Sequence, residues 1–192
     1  TVDKHIGTLR YLFLGGKANK YNRKNLYDLL MGAGILGEGY SSLFGITKTL
    51  DNIQVEGNHY LGYPYDERLY RITNFSLIAE THYDGNQEFH PTEKIYRAIA
   101  NKHPFIIAST PFFLANLRKK GYKTFSNLID ENYDFEQEHS KRLLELTIAL
   151  KSALKLDYTP FNSIAEHNLQ VLKNNAKSTL AIINSSLNNN KE

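Results

Sequence analysis

The chain has no cysteine and only 5 prolines in 192 residues. Without cysteine there are no disulfides, no thiolate metal sites and no thiol catalysis. That absence fits a reducing compartment, and a cytoplasmic location is expected. No window approaches the roughly 18 consecutive apolar residues of a membrane-spanning helix, so no span is expected. The start does not look like a signal peptide, because charged residues give way at once to a short strand-like run. An opening at Thr1 fits a fragment, a processed form or a trimmed chain. The glycines do not form GxGxxG after the first strand, so there is no dinucleotide fingerprint. GxSxG is missing too, which leaves a Ser-His-Asp reading unsupported. The histidines show neither HxH nor HxxxH spacing, so no metal is expected. An excess of one charge is also lacking, with 23 Lys and Arg against 20 Asp and Glu. Basic residues are scattered rather than gathered as in a dedicated nucleic-acid binder.

What is present is ordinary for a globular chain, 41% hydrophobic and 22% charged. The length suits one well-filled domain, or one domain with a helical extension. Leu9 to Leu14 is an apolar run closed by Gly15-Gly16, which predicts a buried strand and a turn. Asn22 is placed to cap a helix to about Ala33, with Leu26, Leu29, Leu30 and Ala33 on one face. Gly32, Gly34, Gly37 and Gly39 then break the pattern. Residues 45–70 predict loops with one short helix or strand. Their clustered tyrosines (60, 63, 65 and 70) either stack a sugar or base, or cover the core edge. Phe75 to Glu80 reads as a strand, Thr92 to Asn101 as a capped helix, and Pro104 to Ala108 as a second apolar strand. Phe112 to Lys119 predicts a short helix ended by Gly121. Lys123 to Phe125 predicts a third short strand. Phe135 to Lys155 predicts a long amphipathic helix, broken by Pro160 before another helix capped at Asn162 or Ser163. Strands alternating with helices imply an α/β fold, a Rossmann-like parallel sheet with a C-terminal pair of long helices. Residues 1–134 form the expected nucleotide-binding domain, and 135–192 a helical extension packed on it.

The chemistry concentrates around one strand end. Glu80 follows Leu77-Ile78-Ala79, outside the carboxyl end of a strand, where α/β folds bind ligands. A carboxylate there can accept ribose or sugar hydroxyls, or can pair with Lys94 or Arg97. Glu93 in a first helical turn suits the helix dipole. Lys94 does not, and an anion beside it would explain its place, since helix N-termini gather phosphates. Arg23, with Lys17 and Lys20, makes the exit of the first strand basic, either as a solvated loop or as a fork for diphosphate. His82 and His90 flank the Asp84-Gly85-Asn86 turn at the mouth. Lys20, Thr81, His82 and Tyr96 are expected on the pocket rim. Asp130 to Asp134 is an acidic cluster that either positions a loop at the site or, the favoured reading, supplies charge and capping for the long helix that follows.

In order, Arg23 with its helix, Phe75-Ser76-Leu77-Ile78-Ala79-Glu80-Thr81, Pro91-Thr92-Glu93-Lys94-Ile95-Tyr96-Arg97-Ala98-Ile99 and His103-Pro104-Phe105-Ile106-Ile107-Ala108-Ser109 resemble the donor-binding half of fucosyltransferase-type glycosyltransferases. The stretches Leu117 to Phe125 and Ile129 to Asp134 resemble a group of phage and viral glycosyltransferase-like proteins, which would put the chain in a host cytoplasm. The resemblance spans roughly residues 9–175. It implies one half of a two-Rossmann-domain enzyme, with Arg23 and Lys94 on the donor diphosphate. It also implies Glu80, Glu93 and Thr92 on ribose or sugar hydroxyls. No cofactor is implied beyond the nucleoside-diphosphate sugar, and no metal is required. Thr81 replaces the family's asparagine, which leaves the donor sugar open. The acceptor (glycan, protein or modified nucleobase) would need an acceptor-binding domain or partner chain.

Two functions from different classes follow. One is a glycosyltransferase-like domain transferring a sugar to an acceptor hydroxyl. The other is a phage or viral interaction or structural module that keeps the fold without catalysis and docks through its C-terminal helices. A nucleic-acid reading rests only on a pI near 8.9 and 13 tyrosines.

Overall fold

The computed structural model describes residues 9–17, 20–44, 67–83 and 89–189, excepting the side chains of Lys17, Phe44 and residues 182–189. Tyr60, Tyr63, Tyr65, the Lys17 side chain and the Asp84-Gly85-Asn86 turn lie outside the described residues.

Strand β1 (Leu9–Lys17) leads to helix α1 (Tyr21–Gly32), a 3-10 turn at Leu36–Glu38, and strand β2 (Gly39–Phe44). Helix α2 (Glu67–Ile72), strand β3 (Thr73–Ala79), helix α3 (Glu93–Ala100) and strand β4 (Phe105–Ala108) follow. The chain closes with helix α4 (Phe113–Lys119), a 3-10 turn at Asn132–Phe135, helix α5 (His139–Ala153), a 3-10 turn at Thr159–Phe161 and helix α6 (Asn162–Asn189). Among the described residues no helix is long and apolar enough to cross a membrane.

All strand pairs are parallel, in the order β2-β1-β3-β4. The fold is therefore α/β with a Rossmann-like sheet. From β1 the chain crosses to one side through α1, and from β3 to the other through α3. Right-handed crossovers in opposite directions put α1 and α3 on opposite faces. The order reverses between β1 and β3, which opens a crevice outside their carboxyl ends.

Alternation along β1 feeds both faces. Tyr11 and Phe13 join the main core with Leu26 and Leu30 of α1, while Leu12 joins a smaller cluster with Tyr40 and Leu69. Helix α5 belongs to the main core through Leu143, Leu146, Leu150 and Ala153, and lies beside α1. Each such leucine contributes about 1.5–3 kcal/mol by burial. Helix α6 packs on α3 and is exposed from Lys173 to Ala181.

Three sequence expectations need correction. The glycines after α1 do not only break structure, because Gly39 opens β2. A Cβ on Gly39 would fall 2.5 Å from the Tyr11 ring, so the sheet needs glycine there. Lys123 to Phe125 is not a strand. Asn168 of α6 pairs with Lys123 as a strand would, accepting from its N–H at 2.7 Å and donating to its carbonyl at 2.9 Å. The Phe125 N–H goes to Glu131 at 2.7 Å. Finally, α5 starts at His139 rather than Phe135, because Glu138 caps it by accepting from the N–H groups of Ser140 and Lys141.

Candidate functional site

Asn22 does not cap α1. Lys20 holds the cap position with no side-chain hydrogen bond, and the first turn carries no acid. The positive end of α1 is therefore unneutralised by its own sequence. Asn22 is the second residue of the helix, buried, and donates to the Glu80 carbonyl at 2.9 Å. That bond ties α1 to the end of β3 across the switch point. Next to it, Arg23 is only 5% exposed. Among the described residues its guanidinium makes one hydrogen bond, to Thr81 Oγ1 at 3.3 Å, and its Nε has no partner. Among the described residues no carboxylate pairs with it. A buried cation with no carboxylate beside it is costly, so Arg23 is not explained by its contribution to stability.

Glu80 occupies the same strand end but serves the fold. Its side chain is fully buried, and both carboxylate oxygens are taken by Thr92. Oε1 accepts the Thr92 N–H at 3.1 Å, and Oε2 accepts the Thr92 hydroxyl. Burial pushes its pKa up, against the Thr92 hydrogen bonds and the charge of Lys94. With both oxygens engaged and no exposed surface, Glu80 offers no free edge to a ribose in this state. It fixes the start of α3 instead. Thr92 then caps α3, accepting from the Lys94 N–H at 3.4 Å.

Lys94 has a carboxylate of its own helix beside it. Its Nζ lies 3.3 Å from Thr92 Oγ1 and 3.1 Å from a Glu93 oxygen. Burial raises the Glu93 carboxyl, but Lys94 outweighs it and holds it below the usual range. Arg23, Thr81, Glu80, Thr92 and Lys94 thus form a connected chain across the crevice. Lys94 and Arg97 also line a small hollow on the α3 face with Leu14 and Ile78.

The remaining rim residues scatter. Lys20 and His82 are exposed, Thr81 and Tyr96 half-buried. The His82 ring lies tilted beside that of His90, centroids 5.1 Å apart. Burial raises the Tyr96 hydroxyl pKa, with added effect from Tyr122 and Glu80. The acidic cluster has a different client from the one expected. Asp134 caps α4, not α5, accepting from the N–H groups of Leu114 at 2.9 Å and Ala115 at 3.0 Å. Glu131 accepts from Arg118 at 2.9 Å. Burial pushes both carboxyls up.

Arg142 is missing from the sequence reading altogether. It sits on the buried face of an amphipathic helix, a position that pattern alone assigns to an apolar residue. An arginine at a core position was the available signal.

No protein-family model, curated protein or solved structure matches this chain.

Proposed function

We propose that this domain binds the diphosphate of a nucleotide sugar at the β1/β3 switch point, as the donor half of a cytoplasmic glycosyltransferase. The observation that carries the reading is Arg23, a buried guanidinium without a counter-charge among the described residues, at the start of a helix whose cap residue makes no side-chain hydrogen bond. Arginine's planar fork suits paired phosphate oxygens, and a helix N-terminus adds backbone donors. The sugar and the transfer rest on the ordered resemblance of Arg23, Glu80 and the Thr92-Glu93-Lys94 turn. In this reading Arg23 and Lys94 stabilise the leaving diphosphate electrostatically. Glu80 acts through Thr92 rather than on the ribose. Glu93 exchanges Lys94 for sugar hydroxyls. An acceptor domain or partner chain closes the crevice and supplies the base.

A thermal-shift panel of UDP, GDP, CMP, ADP and their sugars tests this. Ligand at a hundredfold its Kd stabilises by about 2.7 kcal/mol. One nucleotide should raise the Tm of the wild type and not of Arg23→Met or Lys94→Ala. No shift with any nucleotide favours the second reading, a binding module without catalysis. Leu144 and Ile148, 51% and 58% exposed on α5, favour that reading.

A further inference from the structure

The first turn of α5 touches both lips of the switch-point crevice. On the α1 side, Ser140 Oγ lies 3.3 Å from the hydroxyl of Tyr21, the first residue of that helix. On the β3 side, the Tyr83 hydroxyl donates to the His139 carbonyl at 2.8 Å. Tyr83 lies two residues past Thr81, the partner of Arg23. The strongest element of this bracket is Arg142, which is 1% exposed. Its guanidinium donates to the Tyr83 carbonyl at 2.9 Å, and to the Glu136 and Gln137 carbonyls at 2.8 and 3.2 Å. It also lies 4.2 Å from the centroid of the Tyr83 ring. No carboxylate pairs with it among the described residues, and its Nε is unbonded. A core helix position would be met more cheaply by leucine. The fold keeps a buried cation whose bonds all run to loop carbonyls, one of them in the β3–α3 connection.

We infer that Arg142 is a positioning residue: it holds Tyr83, just past the end of β3, at a fixed distance from the start of α1, and so sets the geometry in which Arg23 meets its anionic ligand. Guanidinium suits this task because one planar group satisfies three carbonyls at once. Lysine, a point charge on a flexible stem, cannot reproduce the fork. A binding site whose supporting residues are loosened by a fraction of an ångström loses affinity without losing its ligands. The inference rests on the anion-binding reading for its functional consequence, but the bracket itself can be measured without ligand.

The experiment uses the full chain, with Arg142→Lys as the main variant and Tyr83→Phe as the milder one should the first fail to fold. Amide hydrogen exchange is followed at residues 20–23, 81–83 and 105–108, and inorganic pyrophosphate is titrated in parallel. The bracket predicts faster exchange at both lips, unchanged protection in β4, and pyrophosphate affinity about tenfold weaker. Arg142→Lys should lose more than Tyr83→Phe. Unchanged exchange at both lips overturns the inference, and so does faster exchange with undiminished pyrophosphate affinity. If the wild type binds no pyrophosphate, the anion-site reading falls, and a positioning role for that site falls with it. A bracket seen by exchange alone would then be structural.

Discussion

Replacing Thr92 by valine deletes one hydroxyl and almost no volume. That hydroxyl donates to Glu80 and accepts from the Lys94 N–H and Nζ at 3.4 and 3.3 Å. Glu80 is fully buried, so the oxygen left behind has no solvent to turn to. A hydrogen bond to a charged group contributes about 1.5–3 kcal/mol, and a helix cap about 1 kcal/mol. The two share one oxygen and are not fully additive, so the expected cost is about 2–4 kcal/mol, a fall in Tm of roughly 5–15 °C. Thr92→Ser, which keeps the hydroxyl, should recover most of it. Urea unfolding at neutral and acid pH is the assay. Burial raises the folded pKa of Glu80 above its unfolded value. The stability linked to that proton is therefore present in acid, below the unfolded pKa, and is lost as pH rises through the folded one. At neutral pH the buried charge leans on Thr92, and the valine cost is greatest. It shrinks as Glu80 protonates. A neutral-pH cost below about 0.5 kcal/mol, or one constant across pH, would mean that Thr92 does not support the buried Glu80 charge.

Other perturbations follow from the packing. Leu146→Ala in α5 should cost about 2–5 kcal/mol in urea unfolding, because Leu146 is fully buried against the sheet core, while Leu144→Ala, 51% exposed, should change stability by no more than about 0.5 kcal/mol. Asp134→Asn keeps one acceptor for the α4 amides and loses the other, and should cost about 1 kcal/mol with faster amide exchange at Leu114 or Ala115. Gly39→Ala drives a methyl into the Tyr11 ring, and calorimetry should register a loss of about 1–3 kcal/mol.

The elements that the sequence revealed are those with strong local signals. Pro104 to Ala108 is a continuous apolar run and Leu9 to Leu14 is one broken only at the exposed Arg10, as suits largely buried parallel strands. Thr92 and Gly121 are caps with a mechanism, and both mark helix ends in the structure. Strand β2 was hidden because Gly39-Tyr40-Ser41-Ser42 has neither the alternation nor the β-branched residues of a strand; pairing with β1 makes it one. Asn22 looked like a cap because asparagine before an apolar run usually is one, and only the tertiary bond to Glu80 gives it another task. The strand-end carboxylate and the first-turn lysine were visible, but their mutual satisfaction through Thr92 was not, since it depends on a contact across 12 residues. Arg142 shows the same limit, with a partner 59 residues away.

Arg23 is held either for a ligand or for the fold, and Arg23→Met separates the two directly. The substitution keeps the buried stem, removes an uncompensated cation and gives up one 3.3 Å hydrogen bond. Replacing a buried charge by a well-packed apolar side chain is often neutral or stabilising. Calorimetric titration with pyrophosphate, run beside thermal unfolding of the same samples, should find Tm unchanged or raised and binding weakened by at least about tenfold, the loss of one charge-assisted contact. A variant that unfolds earlier yet binds pyrophosphate as the wild type does would make Arg23 a structural residue and contradict the account.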